Sequence, residues 1–109
     1  LPEPTLQQVF GAGATQTATT LTIEKADLTA VGLTASATNT AESLFVGLLL
    51  LAKAVLTAAG LESNPDQSIS IEDSFDSLVT RNNQTFRQKT YSINLQKLDT
   101  GATIDPDDY

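Results

Sequence analysis

The chemically capable side chains of this 109-residue chain are carboxylates. Glu72, Asp73 and Asp76 lie close together, and neighbouring carboxylates can divide acid and base roles when their surroundings push their pKa values apart. Here they follow an alternating run and lead into a turn, the setting of a solvated charged edge. Asp105-Pro106-Asp107-Asp108 offers oxygen ligands of the kind calcium takes. It lacks the spacing and the glycine of an EF-hand loop, so an acidic terminal tail is expected, with no metal and no cofactor.

Nothing else supplies a catalytic set. The chain contains no His and no Cys. That removes the commonest general base, the usual soft metal ligands, and both the Ser-His-Asp and Cys-His nucleophile systems. No serine stands three residues before a lysine, so a Ser-Lys pair on one helical turn is also absent. Gly11-Ala12-Gly13 begins like a dinucleotide fingerprint but lacks the third glycine and precedes a strand instead of a helix. It is expected to be a flexible turn. Asn83-Gln84-Thr85 matches a glycosylation acceptor, a pattern short enough to arise by chance. The expectation is a chain that is not an enzyme.

Charge is unevenly distributed. The formal net charge is −7, which argues against nucleic acid as a partner. Leu1–Thr80 holds nine acids against two lysines, whereas Arg81–Leu98 holds Arg81, Arg87, Lys89 and Lys97 with no acid. The last eleven residues return to −4. A basic strand with Phe86 and Tyr91 interleaved has the outline of a single-stranded nucleic-acid surface, but the acidic total opposes that use. The basic segment is expected to meet the acidic tail (Asp105, Asp107, Asp108) or the acidic face of a neighbouring subunit, setting register and orientation. A solvated basic edge that discourages strand pairing is the competing reading.

The elements that position these groups follow from periodicity and capping. The dominant one is a helix over about 41–59. Thr40 is the N-cap, Glu42 stands in the first turn where the helix dipole favours negative charge, and Gly60 is placed to follow the last turn. Its middle, Leu44-Phe45-Val46-Gly47-Leu48-Leu49-Leu50-Leu51-Ala52, is apolar all round. A membrane span needs about 20 apolar residues, and Lys53 interrupts this run, so membrane insertion is not expected. Successive residues of a helix point about 100° apart, so one sheet cannot cover Leu48 to Leu51. Each leucine left in water forgoes roughly 1.5–3 kcal/mol. Self-association is therefore expected through Leu44, Phe45, Leu48, Leu49, Leu51 and Val55, unless the Thr/Ala-rich loops cover the back of the helix.

Around that helix the sequence predicts α+β: one small antiparallel sheet packed on it, in a single domain of 1–109. Residues 1–14 are expected to form an N-terminal arm with a short helical turn at Thr5–Phe10, and 99–109 an acidic C-terminal tail. Strands are predicted at Thr15–Lys25, Ser68–Glu72 and Thr85–Leu98, with another short one at Leu33–Ala37. Leu21, Ile23, Ile69, Ile71, Tyr91, Ile93 and Leu95 would face the helix. Ser74–Arg81 fits helix or strand. Glu62–Gln67 and Asn82-Asn83 are expected to be turns. The chain starts at Leu1 and has no Met, so a longer precursor is expected.

Thr/Ala-rich β segments such as Thr15–Thr22, the acidic balance, the absence of Cys and Met and the extended ends resemble the small structural proteins of tailed bacteriophages and phage-like particles. Leu6–Thr15 and Val79–Gln88 are similar in character to parts of such proteins. The resemblance implies a capsid decoration or tail subunit, found in a virion or extracellular particle and in the cytoplasm during assembly. It implies copies of itself and other particle subunits as partners, and it transfers no site residue. The expected function is a non-enzymatic assembly subunit. The alternatives are a monomeric binding or adhesion module, and a regulatory partner that engages a basic protein through the acidic segments.

Overall fold

A computed structural model describes residues 3–98 and 103–109. It is mixed α+β, with helices α1 (Leu6–Phe10), α2 (Ala41–Val55) and α3 (Ala58–Ser63), and strands β1 (Thr15–Gln16), β2 (Leu21–Thr22), β3 (Ile69–Asp73), β4 (Ser77–Arg81), β5 (Gln84–Gln88) and β6 (Tyr91–Leu95). Two 3-10 segments, Lys25–Val31 and Pro106–Asp108, complete the chain. The expected single sheet is replaced, among the described residues, by three antiparallel ladders: β1–β2, β3–β6 and β4–β5.

The N-terminal helical turn expected from the sequence is α1. Thr5 and Gln8 cap it reciprocally: the Gln8 N–H donates to Thr5 Oγ1 (3.1 Å) and the Thr5 N–H to Gln8 Oε1 (2.8 Å). The described part of the arm is not extended, because α1 packs against α2. Nor is the glycine turn loose. The Gly13 N–H donates to Asp27 Oδ2 (2.7 Å), and a Cβ at Gly11 would stand 2.6 Å from that of Asp27. Gly11 also adopts φ +111°, a region that side chains disfavour.

The strand expected over Thr15–Lys25 shrinks to a two-pair hairpin, since Thr17 and Thr20 turn the chain with a backbone hydrogen bond and a hydroxyl contact. Asp27–Val31, expected as loop, continues the 3-10 segment that starts at Lys25. Leu28 from this segment is 2% exposed and sits on Gly47, where a Cβ would come 3.3 Å from Leu28 Cδ1. The short strand expected at Leu33–Ala37 is a turn held by Asn39, whose amide oxygen accepts from the Ser36 N–H and whose NH₂ donates to Thr34 O.

Helix α2 begins as its cap signals require, with the Ser43 N–H donating to Thr40 Oγ1 (3.1 Å). It ends at Val55, four residues earlier than expected, so the long helix over 41–59 is two helices. Leu56 leaves helical geometry, and its carbonyl accepts from the Ile71 N–H (2.8 Å), which ties the helix end to β3. Thr57 then caps α3 by accepting from the Gly60 N–H (3.0 Å). Gly60 is inside α3 instead of beyond a helix, and α3 takes Glu62 and Ser63 from the expected polar turn. Gln67 closes the junction: its NH₂ donates to Thr57 O (3.0 Å) and Ile69 O (2.8 Å).

Residues 69–95 form one long hairpin in two sections. The register pairs Asp73 with Tyr91 and Ser77 with Gln88, so three residues oppose two at the junction. That bulge splits the strand expected over Thr85–Leu98 and resolves Ser74–Arg81 as mostly strand. Asn82 and Asn83 make the end turn with φ +51° and +60°, the paired positive values a two-residue type I′ connection needs. The expected alternation is present, with Ile69, Ile71, Ile93 and Leu95 on one face. Only Ile71 of these is buried. Of the terminal tail, 99–102 lies outside the described residues, as do Leu1 and Pro2 of the arm.

A candidate assembly surface

The structure shows where each carboxylate points. Adjacent strand residues project to opposite faces, so Glu72 and Asp73 are separated. Glu72 accepts from the Asn94 NH₂ (3.0 Å), and Asp73 pairs with Lys53 (3.4 Å). Asp76 pairs with Lys89 (3.4 Å) and Arg87 (3.9 Å). The three acids thus have separate partners: Asn94 for Glu72, Lys53 for Asp73, and Lys89 with Arg87 for Asp76. Among the described residues no group of three acidic side chains is placed to hold a metal ion.

The basic residues are distributed in the same way. Arg81 lies over the Phe86 ring, 4.7 Å from its centroid. Lys97 donates to Asp108 Oδ2 (2.7 Å) and to Thr103 O (3.1 Å), and folds the C-terminal segment back on β6's end. The Asp108 hydrogen bond, opposed by desolvation and aided by the charges of Asp108 and Tyr109, raises the Lys97 pKa above its ordinary value. Asp105 is used locally, accepting from the Asp107 N–H to cap the Pro106–Asp108 turn, while Asp107 remains exposed.

The apolar surface is more distinctive. In α2 only Gly47 is buried; Leu44, Leu48, Leu49, Leu51 and Val55 are half-buried, and Phe45 is 67% exposed. Helical spacing explains the difference. Phe45, Leu49, Lys53 and Leu56 share a side of the helix, and the β3–β6 ladder covers its C-terminal end, where Lys53 reaches Asp73 and lies 5.5 Å from the Tyr91 ring centroid. Phe45 stands about 12 Å of helix earlier than Lys53, beyond the reach of those short strands. Val46, Gly47 and Leu50, on the adjoining side, line a groove of about 270 Å³ with Val31, Gly32 and Leu33.

Strand alternation placed Leu21, Ile93 and Leu95 against the helix, but all three are exposed, because the short ladders do not extend over it; Phe75, Leu78, Leu98 and Ile104 are exposed as well. The two-residue Asn-Asn turn was the usable signal. It forces Leu78 and Val79 into a hairpin arm that no predicted helix is left to cover. In that arm every residue of β4 except Ser77, and every residue of β5 except Phe86, is exposed. A two-stranded hairpin without such cover is marginal in water.

The whole molecule carries the same signature. Its radius of gyration is 16.2 Å, against about 13 Å for a compact domain of this length. Its accessible surface is 7920 Å², roughly 2,100 Å² above the ~5,800 Å² that a compact monomer of this mass exposes. Among the described residues the buried apolar side chains are Ala14, Leu28, Leu56 and Ile71.

Comparison with protein-family models, curated proteins and solved structures gives no match. Among the described residues, no helix is long and apolar enough to cross a membrane.

Proposed function

We propose that this chain is a non-enzymatic structural subunit that completes its core by association with further copies, as a repeating part of a particle, tube or filament. The resemblance to small phage structural proteins makes a capsid decoration or tail subunit the specific form of this reading. One observation carries it: a single chain leaves about 2,100 Å² more surface in water than a compact monomer would. A standard protein interface buries about 800 Å² on each partner, so the excess on one chain corresponds to between two and three such contacts, as a subunit with several neighbours would make.

Phe45, Val46, Phe75, Leu78, Ile93 and Leu95 supply the apolar part of that surface. The alternation of an acidic 1–80 and a basic 81–98 supports an ordered contact over a random one, because complementary charge sets orientation. Size-exclusion chromatography with light scattering tests the reading directly. The expected result is a concentration-dependent mass at multiples of the 11.5 kDa chain. A monodisperse monomer at high micromolar concentration overturns it.

A further inference from the structure

The subunit contact proposed above leaves its geometry open, and the outer hairpin and the groove on α2 are the two exposed surfaces whose chemistry is complementary. The β4–β5 arm carries an exposed apolar side chain beside an arginine, which an apolar acceptor with an acidic rim suits.

Resting on that reading of assembly, we propose that the β4–β5 arm of one copy seats on the groove between the Lys25–Val31 3-10 segment and α2 of the next copy. Leu78 is 63% exposed, and its cross-strand partner is Arg87, so an apolar knob and a cation share one face of the arm. The groove presents the complement. Val46 is half-exposed on its wall, and exposed Glu42 lies one helical turn before it. Leu78 fills the groove beside Val46 and Leu50 while Arg87 reaches Glu42. The Arg87 contact to Asp76 is long, 3.9 Å, and Arg87 is largely exposed, so exchanging it for Glu42 costs little. The body's own cations do not compete: Lys25 donates to Ser36 O and Lys53 pairs with Asp73. Donor and acceptor lie on different elements, so each copy offers one of each, and the same contact either closes as a reciprocal pair or propagates head to tail; the mass of the wild type, limited to a dimer or growing beyond it, tells the two apart.

Complementation tests this. Leu78→Asp disables the arm and Val46→Asp disables the groove; both positions are exposed, and circular dichroism checks that each variant stays folded. Each alone is expected to be a monomer. An equimolar mixture is expected to form a discrete heterodimer of twice the 11.5 kDa chain and nothing larger, because only one intact arm and one intact groove remain to meet. Should Val46→Asp fail to fold, charge exchange replaces it. Glu42→Arg or Arg87→Glu alone is then expected to weaken association roughly fivefold, and the chain carrying both to recover it. Assembly by the wild type, with neither heterodimer nor charge-swap recovery, overturns the arm-to-groove contact and leaves the assembly reading standing. A wild type that never assembles overturns both.

Discussion

The two sections of the 69–95 hairpin are built alike and situated differently. Each pairs five residues with five in antiparallel register, and each places apolar side chains on its strands. In the inner section, β3 is joined to the Leu56 carbonyl on its outer edge and buries Ser70 and Ile71. In the outer section every residue of β4 except Ser77 and of β5 except Phe86 is exposed, and Leu78 stands in water. A favourable turn and correct register are enough to shape a ladder. Burial is what makes it stable, and the outer section has little of it.

Substitution of the apolar residues is the strongest way to break that contrast. Ile71→Ala is expected to cost about 2–5 kcal/mol, the range for deleting a buried aliphatic side chain, and Leu78→Ala no more than about 0.5 kcal/mol in the monomer. Urea denaturation at low protein concentration measures both, and equal losses would show that the outer section is packed after all. Gln67→Ala comes next. It removes the NH₂ that bridges Thr57 O and Ile69 O at the α3–β3 junction, Thr57 O keeping the Leu61 N–H, an expected loss of about 1–3 kcal/mol. The same titration reads it, and hydrogen exchange should show the inner ladder, not the outer, losing protection.

Asn83→Gly sharpens the comparison from the other side. Glycine suits the φ of +60° without a side-chain penalty, so outer-ladder amides are expected to gain protection worth less than about 1 kcal/mol while those of β3 and β6 stay unchanged. The smallest effect belongs to the Lys97–Asp108 contact. Because folding raises the Lys97 pKa, its contribution is fully present below the ordinary lysine value of 10.5 and disappears as pH rises through the higher folded value. Amide spectra of residues 103–109 should therefore change in that alkaline window, and Asp108→Asn should remove the transition.

Much of this was legible because its causes are local. Thr5 with Gln8, Thr40 with Ser43, and Asn82-Asn83 act within four residues of chain, and each produced the element its type predicts. The break after Val55 was not legible, since the apolar run continues through Leu56. It depends on Ile71, fifteen residues away, taking the Leu56 carbonyl. The split of the last long strand was equally hidden, because a three-against-two bulge is visible only once both strands are paired. The glycines at 11 and 13 looked like loose turn residues until Asp27 was found against them.

The sequence by itself determined the lack of a His- or Cys-based catalytic set, the separation of an acidic 1–80 from a basic 81–98, and a leucine-rich apolar run from Leu44 to Ala52. Only the tertiary structure decided which apolar residues stay in water, and it chose Phe45 and Leu78 along with the groove at Val46. Composition and period are properties of neighbouring residues. Cover is a property of distant elements meeting, and here short strands meet only the C-terminal end of α2 and none of the outer hairpin.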